Sequence, residues 1–406
     1  MPLRHPRDMN LIPNQPVKCR KLFFLTVCMV LFGVIVLGYF CPLGPSNFTP
    51  SRFFGAQTLV LQQHSPPVAL LHHIINNTVS NVDVTSDIIH LPLDTYNFSI
   101  SDLQRDFQLD MEKEDVIVFL HIQKTGGSTF GRHLIRNLVV DRPCECVRRR
   151  KRCNCLTHSN KNWLFSRYST GWICGLHADW TELTECVEKA LDKVEGSKRK
   201  RKYNYITFLR HPVHRYLSEW RHVYRGATWK ATNYRCNGND ATLEEVPFCY
   251  EGSNWHNVSL DSFLECPSNM AVNRQVRMLA NLSKVNCYNR TGMSEKERNA
   301  IMLESAKENL LSMAFFGMTE FQLQSQKLFE STFHLNFHED FEQYNYTHSN
   351  RVNLTWNQLV QITKLNKIDM LFYDFAKNLF FRRLEYLDKM KSSKPTRKRT
   401  GNKKQA

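Results

Sequence analysis

The segment VIVFLHIQKTGGSTF, residues 116–130, decides the fold. Its first six residues, 116–121, form a short apolar run that predicts a buried strand. Gly126 and Gly127 follow, and the amphipathic stretch after them, to about Val140, predicts a helix. Backbone N–H groups in such a turn, and at the start of the following helix, are free to bind phosphate oxygens. The sequence therefore predicts an anion site at the end of this strand.

The order of residues in this turn excludes the common loop of nucleoside triphosphatases. That loop reads G-x-x-x-x-G-K-[ST], with its lysine after the glycines, whereas Lys124 precedes Gly126 here. The inverted order favours the loop with which sulfotransferases hold the 5′-phosphosulfate of PAPS (3′-phosphoadenylyl sulfate). Lys124 supplies a positive charge at the turn, and Ser128 and Thr129 add hydroxyl donors.

A second strand–turn–helix unit offers candidates for the other end of the nucleotide. Residues 205–209, YITFL, predict a buried strand that Arg210 ends, and Pro212 suits the first turn of a helix reaching about Tyr224. Ser218 lies about two turns along that helix. An arginine at a strand end and a serine on the next helix can grip a 3′-phosphate, although such an arginine is often only a solvated charge.

Repeated strand–turn–helix units imply an α/β fold with a central parallel sheet flanked by helices. Further helices are predicted at residues 261–280, 294–312, 319–333 and 355–388, and a further strand is predicted at 314–317. The sequence shows no internal repeat. We therefore expect a single catalytic domain over residues 111–388.

Charge predicts the class of partner. The 406 residues include 54 Lys and Arg against 38 Asp and Glu, a formal net charge of +16. Such an excess predicts a polyanion: nucleic acid, acidic lipid or acidic polysaccharide. Residues 389–406 hold eight basic residues and no acidic one, and predict a disordered tail. Within the predicted domain the basic clusters lie at residues 148–152 and 198–202.

Residues 22–41, LFFLTVCMVLFGVIVLGYFC, carry no charge and predict a membrane anchor. At about 1.5 Å per residue they cover about 30 Å, the thickness of a bilayer core. Five basic residues in 1–21 place the N-terminus in the cytosol and the rest of the chain in the lumen. A cleaved signal peptide is the alternative, but its apolar region would be shorter. Residues 42–110 predict a lumenal stem.

Cysteines and glycosylation sequons agree with a lumenal address. Ten cysteines follow residue 41, an even number that predicts disulfides in an oxidising compartment. The C-x-C pairs at 144–146 and 153–155 allow zinc as an alternative, although their spacing is tighter than C-x₂₋₄-C. The N-x-Ser/Thr sequons start at eight positions: Asn47, Asn76, Asn97, Asn257, Asn281, Asn289, Asn345 and Asn353.

Five segments together resemble the heparan-sulfate 6-O-sulfotransferase family. They are LHIQKTGGSTFGRHL, WLFSRYSTGWICGLHADWTELTECV, YITFLRHPVHRYLSEWRHVYRGATWK, NRQVRMLA and ESAKENLLSMAFFGMTEFQ. The resemblance covers about residues 108–385 and leaves out the stem and the basic tail. It implies a Golgi type II membrane enzyme with the PAPS-dependent sulfotransferase fold, which acts on the 6-hydroxyl of glucosamine in heparan sulfate, needs no metal and binds no nucleic acid.

The resemblance also implies roles for individual residues. His177 matches the catalytic base, and a neutral imidazole with an ordinary pKa near 6.5 can accept the proton of a sugar hydroxyl. The implied nucleotide-binding residues are His121, Ile122, Gln123, Lys124, Thr125, Gly126, Gly127, Ser128, Thr129, Arg210, Ser218, Glu342, Gln343, Tyr344, His348 and Ser349. The implied substrate contacts are Lys151, Arg152, Arg167, Trp172, His177, His222 and Trp229.

The chemistry of these residue types fits the implied reaction. Lysine and arginine suit the sulfates and carboxylates of the polysaccharide, and tryptophan suits the faces of its sugars. Lys124 is our candidate for neutralising charge on the leaving oxygen.

Two other functions stay open on the sequence. A non-catalytic heparin-binding membrane protein would share the basic loops and the anchor, but it has no use for a nucleotide site. A sulfotransferase acting on another glycan, or another position of the sugar, would share the loop motifs.

Overall fold

The computed structural model of the protein describes residues 96–341 and 352–392. The strands in these ranges are β1 (Asp115–Leu120), β2 (Glu145–Cys146), β3 (Cys153–Asn154), β4 (Leu164–Phe165), β5 (Lys202–Leu209), β6 (Arg235–Cys236), β7 (Asn239–Asp240) and β8 (Phe315–Met318). The helices are α1 (Ile100–Leu103), α2 (Gly127–Arg136), α3 (Trp180–Glu195), α4 (Pro212–Tyr224), α5 (Leu260–Glu265), α6 (Arg274–Leu279), α7 (Glu295–Ser312), α8 (Gln322–Phe333), α9 (Trp356–Leu365) and α10 (Lys367–Ser392).

The main sheet is parallel and has the strand order β4-β1-β5-β8. Every residue of β1 is buried, because helices cover both faces of a parallel sheet and leave no strand face for water. On one face the Phe130 ring of α2 lies 4.5 Å from the Phe208 ring of β5. The expected α/β architecture, a parallel sheet flanked by helices, is confirmed.

The carboxyl ends of three neighbouring strands meet at one edge of this sheet. Residue His121 follows β1, Arg210 follows β5 and Thr319 follows β8. In open parallel sheets, ligands bind in the crevice outside these carboxyl ends. The sheet thus brings the two predicted phosphate-binding turns to the same edge.

Two helices predicted as continuous are broken. The predicted helix at 261–280 is two short helices, α5 and α6, because Pro267 follows α5 and Asn273, which precedes α6, adopts a left-handed backbone with φ 46°. The predicted helix at 355–388 is also two helices, α9 and α10, and α9 ends before Asn366. The buried side chain of Asn366 accepts the backbone N–H of Asn273 at 3.1 Å. This contact joins residues far apart in sequence, so no local pattern reveals it.

Helix α3 was not among the predicted elements, although its signals are local. The side chain of Asp179 caps its first turn by accepting the N–H of Glu182 at 3.0 Å. Gly196 ends it in a left-handed conformation, φ 67°.

All ten cysteines of the described residues form disulfides, as predicted. The pairs are Cys144–Cys155, Cys146–Cys153, Cys174–Cys186, Cys236–Cys287 and Cys249–Cys266. The first two take up both C-x-C motifs, and this excludes the zinc alternative at those cysteines.

The packed part of the chain extends N-terminal to Met111. The Tyr96 ring meets the Phe375 ring of α10 edge-on at 5.1 Å, and the Phe98 ring lies 5.5 Å from the same partner. Residues 96–110 of the predicted stem therefore pack on the domain. Among the helices of residues 96–341 and 352–392, none has the length and hydropathy to cross a bilayer. The anchor predicted at 22–41 and most of the basic tail lie outside the described residues.

A buried amide holds the end of β5 in place. The Gln275 side chain accepts the backbone N–H of Arg210 at 2.9 Å and donates to its carbonyl, also at 2.9 Å. Gln275 sits in the first turn of α6, where the carboxylate of Asp369 on α10 accepts two backbone N–H groups. The turn after β5 is therefore fixed through α6 to the last helix.

We predict that Gln275→Met destabilises the protein by about 2 to 4 kcal/mol, because it leaves a backbone N–H and a carbonyl of Arg210 unpaired in a half-buried turn. Urea unfolding followed by tryptophan fluorescence measures the change. The exposed Gln324→Met on α8 serves as the control and should change stability little. Equal stabilities for the two variants would contradict a stabilising role for the hydrogen bonds between Gln275 and Arg210.

Candidate active site

The turn after β1 is tight, and its backbone favours glycine at positions 126 and 127. Lys124 and Gly126 both adopt left-handed backbone conformations, with φ of 67° and 78°. A Cβ on Gly127 would lie 2.4 Å from Cδ2 of His121, so a side chain has no room there. The hydroxyl of Thr319, after β8, donates to the carbonyl of Thr125 at 2.6 Å and braces the turn.

Several donors of this turn lack protein partners. The N–H groups of Gly127 and Ser128, in the first turn of α2, have no acceptor among the described residues. The ammonium of Lys124 has no hydrogen-bond partner in the same ranges. Burial lowers the pKa of Lys124, and the nearby Arg225 and Arg210 lower it further against an opposing effect of Glu219. An anion in the turn would give Lys124 a direct charge partner.

Arg210 lies against this turn, as the sequence predicted for the second half of the site. Its Nη1 donates to the carbonyl of Lys124 at 3.2 Å. Burial lowers the pKa of Arg210, and the carboxylate of Glu320 opposes that shift. Ser218 is half-buried on α4, the helix that begins two residues after Arg210. Two cationic side chains thus converge on the carboxyl edge of the sheet.

The carbonyl of His121, at the end of β1, determines the tautomer of His177, the predicted base. Its Nδ1 lies 3.1 Å from the carbonyl oxygen of His121, which can only accept, so Nδ1 carries the proton. Nε2 is then a lone-pair acceptor, and it has no hydrogen-bond partner among the described residues. Burial lowers the pKa of His177 to about 4, against an opposing effect of this hydrogen bond. The imidazole is neutral at pH 7 and can accept a proton at Nε2.

The segment carrying His177 is tied down on both sides. Cys174, three residues earlier, is bonded to Cys186 of α3. Gly175 has φ 115°, and a Cβ there would lie 2.6 Å from Oε1 of Glu182. His177 itself has φ 59°, an unusual backbone for a residue with a side chain. The disulfide and α3 hold this conformation, which places the imidazole at the end of β1.

Trp172 and Arg167 form a wall beside the base. Trp172 is 37% exposed. Its ring lies 4.6 Å from the His177 ring. It also lies 6.0 Å from the His121 ring, to which it is nearly parallel. The Arg167 guanidinium stacks on the same indole at 5.2 Å and donates to Oγ of Ser128 at 3.2 Å. Side chains implied for substrate and for nucleotide are therefore in direct contact.

The other implied substrate contacts have different surroundings. Lys151 and Arg152 are exposed, and Nη1 of Arg152 donates to the carbonyl of Thr170 at 3.4 Å. His222 lies on α4, where partial burial and the charges of Lys124 and Arg225 lower its pKa. Trp229, in contrast, is only 8% exposed. Its indole N–H donates to the buried carboxylate of Glu219 at 3.0 Å, so most of this side chain packs inside the domain.

Five of the implied nucleotide-binding residues lie outside the described residues. They are Glu342, Gln343, Tyr344, His348 and Ser349.

Sequence reasoning missed a buried carboxylate, Glu219, which organises the side of the site formed by α4 and α6. It accepts hydrogen bonds from Arg215, Arg274 and the indole N–H of Trp229. Burial alone would raise its pKa, but Arg274 and Arg215 outweigh that effect and lower the pKa to about 2. Arg215 and Glu219 are four residues apart on one helix, and this spacing was a usable signal.

A pair of carboxyls, also unpredicted, lies next to the base. Asp179, Glu182 and His177 line one small pocket with Tyr288. Burial raises the pKa of Asp179 to about 6, although it accepts the Tyr288 hydroxyl at 3.0 Å. Burial and the neighbouring Asp179 raise the pKa of Glu182 to about 8. No group of three or more candidate metal ligands occurs in residues 96–341 and 352–392.

Comparison with known proteins gives a consistent family. A family model described as "Sulfotransferase family" matches residues 107–376. Heparan-sulfate 6-O-sulfotransferase 3-B of Danio rerio is 48% identical over 371 residues, which cover 91% of this chain and 87% of that protein. Heparan-sulfate 6-O-sulfotransferase 1-B of Danio rerio is 56% identical over 293 residues, 72% of each chain. Heparan-sulfate 6-O-sulfotransferase 2 of Homo sapiens is 46% identical over 394 residues, 96% of this chain and 62% of that protein.

We predict that ionisation of Glu182 destabilises the protein as the pH rises. The folded pKa of about 8 lies above the ordinary 4.5, so the stability that this carboxyl contributes is present below pH 4.5 and is lost on the way to pH 8. The loss is at most about 1.4 kcal/mol per pH unit, and solvent that reaches part of the carboxyl reduces it.

The variant Glu182→Gln isolates this effect, because it keeps the shape of the side chain without its charge. Its melting temperature should exceed that of the wild type at pH 8 and approach it at pH 5, as measured by thermal unfolding. Glu185→Gln, exposed on the same helix, is the control. A constant difference across this pH range would contradict the prediction.

Proposed function

This chain belongs to the heparan-sulfate 6-O-sulfotransferase family, and we propose that it transfers the sulfuryl group of PAPS to the 6-hydroxyl of glucosamine residues in heparan sulfate. One observation carries the proposal. The imidazole of His177, neutral and with Nε2 unpartnered in the described residues, lies at the end of the strand that opens into the glycine-rich turn. A base and an anion cradle at one strand end are what transfer of a charged group to a hydroxyl requires.

The residues at the carboxyl edge of the sheet fit PAPS. The N–H groups of Gly127 and Ser128, which have no acceptor within residues 96–341 and 352–392, and the ammonium of Lys124 suit the 5′-phosphosulfate. Because Gly126 and Gly127 carry no side chains, an anion can approach the backbone of the turn closely. Arg210 and Ser218 would hold the 3′-phosphate. Bound there, PAPS supplies the sulfuryl group together with a phosphate leaving group.

His177 is the proposed general base. Its Nδ1–H is held by the carbonyl of His121, so the proton of the acceptor hydroxyl passes to Nε2. The strand-end carbonyl also stabilises the imidazolium that forms, because the hydrogen bond strengthens when the donor is charged. Burial keeps the resting imidazole unprotonated, so the base is available without a prior deprotonation step.

Lys124 and Arg210 are the proposed stabilisers of developing negative charge. Group transfer of this kind depends on positioning and on neutralising charge at the leaving oxygen. The contact of Arg210 with the carbonyl of Lys124 keeps both cations at one turn. Since partial burial weakens screening by water, their effect on an anion there is larger than at an open surface.

Trp172, Arg167 and Arg152 are the proposed contacts for the polysaccharide. The partly exposed indole lies next to His177, where it can contact a sugar ring. The two guanidiniums offer paired donors to sulfate or carboxylate groups. Arg167 also bonds to Ser128 of the turn, so an acceptor bound on this wall lies beside the donor.

We further propose that the catalytic domain works in the lumen of the Golgi, held by the anchor predicted at residues 22–41. Five disulfides within residues 144–287 support an oxidising compartment. Microscopy of the tagged full-length chain with Golgi markers, and protease protection of intact vesicles, test this proposal. A C-terminus that is cleaved in intact vesicles contradicts it.

The function itself is tested by incubating the full-length protein with labelled PAPS and desulfated heparan sulfate, followed by disaccharide analysis. New sulfate at glucosamine O-6 is the expected result. Sulfate at another position or on another glycan would contradict the proposed acceptor and identify a different one. No transfer, together with no retention on PAP-agarose, would favour a heparin-binding protein without activity.

We predict that His177→Asn lowers the transfer rate by about 10²- to 10⁴-fold, the usual contribution of a positioned base. Asparagine tolerates the left-handed backbone, and its amide can still donate to the carbonyl of His121, but it has no acceptor at the position of Nε2. The affinity for PAP should stay near that of the wild type. His158→Ala, exposed and paired with Glu112, is the control. Near-wild-type transfer by folded His177→Asn would rule out this base.

We predict that Lys124→Met lowers transfer by at least about 10²-fold, because it removes a cation at the leaving oxygen while keeping most of the length of the side chain. PAP affinity should fall as well, measured by calorimetry. Lys193→Met, exposed in the last turn of α3, is the control. Full activity and unchanged PAP affinity of Lys124→Met would remove Lys124 from the site.

A further inference from the structure

The two basic clusters of the sequence differ in their surroundings. In residues 198–202, four of the five basic side chains face acidic groups. The pairs are Arg199 with Glu195 at 3.0 Å, Arg201 with Asp192 at 2.6 Å and with Glu195 at 2.9 Å, Lys200 with Glu114 at 3.9 Å, and Lys202 with Asp115 at 3.6 Å. This cluster is largely neutralised within the domain.

Residues 148–151, three arginines and a lysine, have no such partners. All four side chains are exposed, and none has an acidic partner among residues 96–341 and 352–392. The only acidic residue between Cys144 and Cys155 is Glu145, and Arg142 already pairs with it at 3.1 Å. The charge of this cluster is therefore available to a partner.

This cluster forms the tip of a rigid hairpin made by β2 and β3. Two disulfides cross it, Cys144–Cys155 and Cys146–Cys153. The tip turns tightly, with the N–H of Arg150 donating to the carbonyl of Val147 at 3.1 Å and with Arg149 in a left-handed conformation, φ 69°. The hairpin therefore loses little conformational entropy when a ligand binds to its tip.

The hairpin rests on the segment that leads to the base. The N–H of Cys153 donates to the carbonyl of Tyr168 at 2.7 Å, and Arg152 donates to the carbonyl of Thr170. Trp172 follows two residues later and contacts the ring of His177. The tip and the candidate active site are thus parts of one connected surface.

We propose that Arg148, Arg149 and Arg150 form a second docking site, which holds a sulfated stretch of the polysaccharide at a distance from the reacting sugar. This inference rests on the proposed function and goes beyond the contacts implied for Lys151 and Arg152. Guanidinium groups bind sulfate in a paired geometry, and an exposed cluster of one sign attracts a polyanion over about a Debye length. Such a site favours long, sulfated acceptors over short ones.

The test compares two charge-matched double variants of the full-length protein. Arg148→Gln/Arg150→Gln removes two charges from the tip, and Lys200→Gln/Lys202→Gln removes two exposed lysines that are paired with Glu114 and Asp115. For the tip variant, kcat/KM on long heparan sulfate should fall about tenfold at low salt, in line with two lost ionic contacts. Its kcat/KM on a tetrasaccharide acceptor should stay near that of the wild type. The control variant should change neither value by more than about twofold.

Other outcomes overturn the docking site. An equal loss on both acceptors places these arginines in the catalytic cleft, and an equal loss in the control variant means that the polymer responds to net charge alone. Should the wild type sulfate no acceptor, the proposed function fails, and salt elution from immobilised heparin still decides this inference. Earlier elution of the tip variant than of the control variant supports the site, and co-elution of the two variants overturns it.

Discussion

The hydrogen bond from Nδ1 of His177 to the carbonyl of His121 joins the two halves of the candidate active site. The carbonyl belongs to the first residue after β1. The preceding carbonyl, of Leu120, is already taken by the Thr207 hydroxyl of β5 at 2.9 Å. The next carbonyl along the chain, of His121, lies beyond the end of β1 and accepts from a side chain outside the sheet. Because this acceptor is a carbonyl, the imidazole can present only Nε2 as a base.

The ring of His121 also constrains the glycine-rich turn after β1. It fills the space that a Cβ on Gly127 would need, and it lies between the rings of Phe119 and Trp172. Burial lowers its pKa well below 6.5, and the charges of Arg167 and Lys124 act in the same direction. A neutral, immobile ring here means that one residue shapes the turn through its side chain and orients the base through its backbone.

The sequence predicted those parts of the site that depend on residues close together in the chain. The glycine turn, the helix beginning at Pro212 and the arginine that ends β5 are local patterns, and the structure has them where they were expected. The break before Asn366 involves a hydrogen bond to Asn273 across 93 positions of sequence, and the buried Glu219 pairs with Arg274 across 55 positions. No local pattern encodes such polar contacts. The break after α5 is different, because Pro267 was a local signal that sequence reasoning had passed over.

Charge shows the same limit of sequence reasoning. Residues 148–152 and 198–202 are nearly equal in basic character along the chain, yet strand pairing brings Glu114 and Asp115 beside the second cluster and the turn of α3 brings Asp192 and Glu195. The first cluster lies on a disulfide-bonded hairpin whose single acid is already paired. Since screened charges act over about 8 to 10 Å, the acids within that distance decide whether a cluster attracts a polyanion. Net charge indicates the class of partner, and the fold selects which of its charges that partner can reach.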